Sequence, residues 1–153
     1  MIKKIILATL IVLFLNNCSY QPIYSAKNEK FSLGNLQSSG NKKIDKLLIK
    51  KLEIFKKDES NKAKYNLNIK SKSKKNISSK DKKGNPKTFT LVLSFKIEIE
   101  NSLGEIRSKT FEKYTTYENN ENKFDLKKYE NLIKENMVES ISQNIIEYLQ
   151  DLI

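Results

Sequence analysis

Six apolar side chains, Phe89, Leu91, Leu93, Phe95, Ile97 and Ile99, occupy every second position of one uninterrupted run. Successive residues of a β-strand point to opposite faces, so this run predicts a strand with one wholly apolar face. Twelve residues at about 3.3 Å each reach about 40 Å. Such a face must be covered by a second layer. The alternate positions include Glu98 and Glu100, which read as a solvated face rather than as a catalytic pair of carboxylates. The chain is therefore constrained to a sheet covered from one side.

The cover is legible in two stretches of helical period. Leu126, Tyr129, Ile133, Met137, Ile141, Ile145, Tyr148, Leu149 and Leu152 recur every three or four residues, predicting a helix of about 28 residues from Asp125, about 42 Å long. Ile44, Leu47, Leu48, Leu52 and Phe55 form a shorter stripe of about fifteen residues, with Asn41 or Ser39 as N-cap. Period-two alternation returns at Tyr65, Leu67, Ile69 and Ser71, and weakly at Phe31–Leu36. Asn101–Gly104 is a hairpin turn, followed by a Thr- and Tyr-rich strand from Glu105 to Tyr117. Ile106 and Phe111 fall on opposite faces of an ideal strand, which predicts a bulge between them. The expected fold is α+β: two helices packed on one face of a mostly antiparallel four-stranded sheet, in the order β-α-β-β-β-α, with residues 31–153 a single domain.

Ahead of that domain, Lys3 and Lys4 precede an uncharged, mostly apolar run from Ile5 to Leu15. As a helix this run covers about 16 Å, half of a bilayer's hydrocarbon core, so it reads as an export signal rather than a permanent span. Cys18, the only cysteine, closes it. Leu15-Asn16-Asn17-Cys18 resembles a lipobox, with Leu15 three places before the cysteine and Asn17 where a small residue is usual. The expectation is a lipoprotein signal peptide over 1–17, a thioether-linked lipid on Cys18, and a lipidated tether over 18–30. With Cys18 acylated, no disulfide is available and the fold rests on its apolar core.

The chain contains no histidine, no Gly-rich phosphate loop and no nucleophile elbow. The commonest general base and transition-metal ligand is missing, so neither an enzyme nor a bound metal or other cofactor is expected. Charge is concentrated instead. Residues 41–87 hold seventeen lysines against five acids, whereas residues 88–153 hold eight basic against twelve acidic residues. The densest part contains Lys70, Lys72, Lys74, Lys75, Lys80, Lys82, Lys83 and Lys87 with one acid, Asp81, and includes the turn residues Gly84-Asn85-Pro86. These lysines are expected on a hairpin tip and its flanks, where phosphate suits them as point charges. Nucleic acid is not the expected polyanion: Arg107 is the only arginine, and the aromatics fall on core stripes rather than among the lysines.

Cys18-Ser19-Tyr20-Gln21-Pro22-Ile23-Tyr24 resembles the Cys-Gly-Phe-x-Pro-Leu-Tyr start of mature alphaproteobacterial LPS-assembly lipoproteins, the LptE family. Thr116-Tyr117-Glu118-Asn119 through Phe124 is similar to the Ser-Tyr-Asn … Phe-Ala pattern before the last helix of that family, with Glu118 and Asp125 departing from it. The resemblance implies an outer-membrane lipoprotein on the periplasmic face. It would plug the LPS-assembly β-barrel, bind lipopolysaccharide and help insert it into the outer leaflet. Ser19, rather than Asp, after the cysteine is similar to lipoproteins sent to the outer membrane. The alternative is a generic periplasmic lipoprotein whose basic surface holds another envelope polyanion.

Overall fold

The computed structural model describes residues 30–56 and 62–153. The signal segment, Cys18 and the tether up to residue 29 lie outside the described residues. The elements are β1 (Phe31–Ser39), α1 (Lys42–Leu52) ending in a 3₁₀ turn (Glu53–Phe55), β2 (Ala63–Lys80), β3 (Pro86–Glu100), β4 (Ile106–Glu118) and α2 (Lys123–Gln150). The sheet order is β1-β2-β3-β4. Strand β1 runs parallel to β2, and the other two pairs are antiparallel. Both helices lie on one face, and among the described residues the other face has no second layer, so the α+β architecture is the one expected.

The alternation in β3 sets the layers. Leu91, Leu93, Phe95, Ile97 and Ile99 are all buried on the helix side. Across the ladder Leu67 faces Ile99 and Ile69 faces Ile97. Helix α2 lays Leu126, Ile133, Met137, Val138, Ile141, Ile145, Ile146 and Leu149 over this surface. Helix α1 adds Ile44, Leu48 and Leu52, and Phe55 stacks on Phe31 with ring centroids 5.5 Å apart. Asn side chains cap both helices. Asn41 accepts from the N–H groups of Lys43 and Ile44, and Asn122 from those of Phe124 and Asp125, meeting backbone donors that have no partner inside the helix.

The structure corrects two local expectations. The first helix is α-helical for eleven residues and tightens to 3₁₀ for the last three, so Phe55 turns back onto β1. The bulge expected in the fourth strand is absent, because β3 and β4 pair continuously from Thr88↔Glu118 to Glu100↔Ile106. Ile106 simply faces the open side, exposed, while Phe111 is buried. The helix side of this edge strand carries Arg107, Lys109 and Lys113 between its few apolar anchors. The Lys109 ammonium stands 3.9 Å from the Tyr148 ring centroid, and Lys113 donates to the Ser140 hydroxyl at 2.6 Å. Long side chains that keep an ammonium at the rim do not need a strictly apolar phase. The irregularities lie elsewhere, between Leu33 and Leu36 in β1 and between Ile77 and Lys80 in β2.

The crossover from β1 into α1 is the tightest point. Gly40 has φ +134°, and a Cβ there would sit 2.3 Å from the Ser71 carbonyl oxygen. The buried Ser71 hydroxyl accepts from the Asn41 N–H at 2.9 Å. Gly40→Ala is expected to destabilise the domain by about 2 kcal/mol or more, since it combines backbone strain with a backbone clash. Gly84→Ala, at φ +85° in open space, should cost about 1 kcal/mol. Urea unfolding of the two variants tests this order; equal costs would remove the role assigned to the crossover.

Candidate functional site: a basic hairpin

The lysine-rich segment is ordered strand for most of its length. β2 continues to Lys80, the turn spans residues 81–85, and β3 begins at Pro86. Burial ends near Ser71, and residues 74–85 are exposed. Beyond the core, local hydrogen bonds hold the hairpin. Ser78 and Thr90 share a hydroxyl contact at 2.5 Å, Thr90 and Thr116 one at 2.8 Å, and Ser79 and Thr88 one at 2.7 Å. At the turn, Asp81 accepts from the backbone N–H groups of Lys83 and Asn85, each at 2.8 Å, and from the Asn85 amide at 3.2 Å. The donors from Asn85 hold its carboxyl below the usual carboxylate range, with Lys83 and Gly84 adding to the effect. The single acid among the lysines is thus engaged in shaping the turn.

Strand geometry divides the eight lysines into three groups. Lys70, Lys72 and Lys74 project from the open face, in line with the alternation of β2. Lys70 and Lys96, directly opposite on β3, both reach Glu98, at 3.7 and 3.3 Å. Lys80, Lys82, Lys83 and Lys87 surround the turn and are exposed. Lys75 differs from the rest. Its ammonium lies 2.5 Å from the Glu130 carboxylate on α2 and 3.8 Å from the Phe89 ring centroid. Glu130 also accepts from the Tyr117 hydroxyl at 2.7 Å, and Tyr117 packs edge-on against Tyr129. Burial and the contact with Glu130 push the Tyr117 phenol far above its ordinary value. Burial alone would raise Glu130, but the donors from Lys75 and Tyr117 outweigh it and its carboxyl is held low. Lys75 therefore clamps the base of the hairpin to α2 and is not part of the group available to a ligand.

Sequence alone missed this distinction and missed the extent of the open face. The signal for Lys75 was its parity: it continues the inward series Tyr65, Leu67, Ile69, Ser71, Ser73. On the open face, Asn35, Gln37, Asn66, Asn68, Glu98 and Glu100 line a shallow polar hollow of about 280 Å³. Asn66 donates to Glu100 and Asn68 to Glu98, each at 3.3 Å. No three potential metal-ligating side chains converge among the described residues.

No family model matches this sequence, and no curated protein matches it. Solved structures do. Rare lipoprotein B from Shewanella oneidensis superposes with a TM-score of 0.56 at 15% identity, covering 78% of this chain and 98% of that one. A minor lipoprotein from Acinetobacter baumannii gives 0.54 at 14% identity, over 76% and 90% of the two chains. Lipoprotein B from Nitrosomonas europaea gives 0.58 at 12% identity, over 88% and 92%. The chain has the lipoprotein B fold.

The clamp makes a pH-dependent contribution. Because the Glu130 carboxyl titrates lower when folded than when unfolded, it stabilises the native state at neutral pH. That contribution fades as pH falls through the ordinary carboxylate range and is gone below the folded value. Glu130→Gln should therefore lower stability at pH 7 by about 1–2 kcal/mol and make little difference near pH 2. Lys75→Ala should cost about 1–2 kcal/mol, against at most about 0.5 for Lys74→Ala. Denaturant midpoints at the two pH values read both comparisons; a Lys74 variant as costly as the Lys75 variant would remove the clamp.

Proposed function

We propose that this protein is an envelope lipoprotein of the LPS-assembly type, alphaproteobacterial in kind. It is a binding and assembly component rather than an enzyme. Its signal is cut before Cys18, the cysteine takes the lipid, and the domain is held at the periplasmic face of the outer membrane. There it seats in the LPS-assembly β-barrel and helps deliver lipopolysaccharide to the outer leaflet. The observation that carries this reading is the lipoprotein B fold in a chain whose N-terminus reads Leu15-Asn16-Asn17-Cys18. No helix among the described residues is long and apolar enough to cross a membrane, which suits attachment through a lipid.

In this reading the turn lysines receive the phosphates. Lys80, Lys82, Lys83 and Lys87 stand exposed around a turn whose one carboxylate is engaged by backbone N–H groups. Exposed ammonium groups on flexible stems meet phosphate as point charges, so binding is electrostatic and weakens with salt. Nucleic acid is not a partner in this reading, and neither metal nor cofactor takes part.

Two measurements test it. Pulldown of the tagged full-length protein from detergent-solubilised membranes should bring down an outer-membrane β-barrel in stoichiometric amount. Recovery of the lipoprotein alone, where other barrel complexes survive, would favour a generic lipoprotein holding another envelope polyanion. Replacing Lys80, Lys82, Lys83 and Lys87 together by Gln, with Lys75 retained, should weaken lipopolysaccharide binding by about tenfold and flatten its salt dependence, while circular dichroism stays unchanged. Unaltered affinity would remove the turn from the site.

A further inference from the structure

Strand β4 is an edge of the sheet, and among the described residues no element lies beyond it. The N–H of Asn119 donates to the Lys87 carbonyl at 2.8 Å, and that of Asn101 to the Glu105 carbonyl at 3.1 Å. These bonds sit at the two ends of the β3–β4 ladder and set its phase. In an antiparallel pair every second residue exchanges both backbone bonds with its partner, so the odd-numbered residues of β4 face β3. The even-numbered ones, from Ile106 to Glu118, turn their N–H and C=O groups outward, and all of them are exposed.

Sheets normally blunt such an edge with a short strand, a bulge, a proline or a lysine lying across it. The other edge does so: β1 has nine residues and shifts register between Leu33 and Leu36. By contrast, β4 has thirteen residues, pairs without interruption and contains neither proline nor glycine. Its two lysines are drawn off the edge onto α2, Lys109 to the Tyr148 ring and Lys113 to the Ser140 hydroxyl. Both of these contacts are to uncharged groups, so the ammonium charge stays at the rim.

The side chains indicate what kind of strand completes the edge. On the helix side β4 presents Arg107, Lys109 and Lys113 around Phe111, and on the open side Glu112 lies near its middle. A second copy laid antiparallel along the same edge would bring these cations against their own equivalents, and like charges across a ladder are destabilising. Residues 18–29, the chain's own segment ahead of β1, carry Lys27 and a single acid, Glu29, too little negative charge to match three cations. The complement is a strand with acidic side chains on the helix side and an uncharged or basic one opposite Glu112.

We propose that the β4 edge takes one added strand from a protein partner: an extended segment of about five to seven residues, acidic at alternate positions. Its donor is the barrel protein of the function proposed above, on which this assignment rests. A closed barrel has no free edge of its own, so the segment is a loop or a terminal arm. Main-chain hydrogen bonds supply the affinity, and Arg107, Lys109 and Lys113 select the sequence that docks.

The test uses tagged full-length protein and the complex it forms, purified from detergent-solubilised membranes. Thr110→Pro removes one outward N–H, at the kind of edge position where sheets accept proline. It should lower barrel recovery about tenfold, with circular dichroism unchanged. Arg107→Gln combined with Lys113→Gln should lower recovery about threefold and weaken its salt dependence. Hydrogen exchange needs no variant. In the wild-type complex the amides of Ser108, Thr110, Glu112, Tyr114 and Thr116 should exchange about tenfold or more slowly than in the free protein, while their odd-numbered neighbours change little. Unchanged exchange at those even positions, in a complex that holds the barrel, overturns the proposal and leaves the assembly function standing. Full recovery of the barrel by a folded Thr110→Pro chain does the same, and recovery unaltered by the two Gln substitutions overturns the acidic strand. If the wild-type chain recovers no barrel, the assembly function falls and the strand donor named here falls with it.

Discussion

The apolar face of β3 has to be covered along its whole length from one side, and the arrangement of the other elements follows from how far that cover extends. Strand β3 is central, with β2 and β4 as neighbours, and its helix-side residues from Leu91 to Ile99 are buried. A 28-residue α2, about 42 Å long, lies over them. Helix α1 fills the remaining space on the β1–β2 side, entering through Gly40, where the chain approaches Ser71 too closely for any side chain. The 18-residue β2 has fewer residues than α2, but at about 3.3 Å each it reaches about 60 Å and outreaches both helices. The part of the hairpin beyond Lys75 and Leu91 therefore outruns the cover, and along β2 the side chains change past Ile69 from Leu and Ile mostly to Lys, Ser and Asn.

A hairpin that leaves the core loses its hydrophobic support and must be stiffened by other means, since isolated two-stranded ribbons are marginal in water. Hydroxyl pairs across Ser78, Thr90 and Thr116 and the Asp81-centred turn do this locally. The contact of Lys75 with Glu130 and Phe89 ties the ribbon's base to α2. An ion pair at an exposed site contributes little because water screens it. Here the Glu130 side chain is only 16% exposed and accepts from Tyr117 as well, so the pair lies in a medium where its loss is felt.

Sequence reading reached the two helices, Asn41 as a cap of the first, the central strand and the order of elements because the buried stripes there are apolar apart from Asp45 and Ser142; the Asn122 cap of α2 was not foreseen. Periodicity failed in β4, where Arg107, Lys109 and Lys113 share the helix side with Phe111 and Tyr117. Hydropathy counts a lysine as solvent-facing, yet its stem packs along apolar surface while the ammonium stays at the rim. For the same reason the lysine-rich segment read as eight equivalent charges. Composition locates the cluster; only the parity of β2, followed past Ser71, separates inward-turned Lys75 from outward Lys74, and it does so with no change of residue type to mark it. The place of Ile106 was missed because a lone exposed isoleucine on an edge strand looks like a core residue out of phase.

The division of the lysines also decides how the hairpin acts at a distance. Along its flank, Lys70 and Lys96 share Glu98, and at its base Lys75 is matched by Glu130. Positive charge is matched at those two points of the sheet and concentrated around Lys80, Lys82, Lys83 and Lys87, where the only neighbouring acid in the turn sequence, Asp81, is occupied by the turn's own N–H groups. Its negative charge remains, so the turn is a region of net positive potential rather than a set of unopposed cations. With a Debye length of about 8 Å at physiological salt, such a region attracts an anion only over short range. In the proposed function its position on a stiffened ribbon beyond the core would let four exposed ammonium groups meet several phosphates without first displacing protein side chains. Recognition of that kind would draw mostly on charge density at the turn and little on shape.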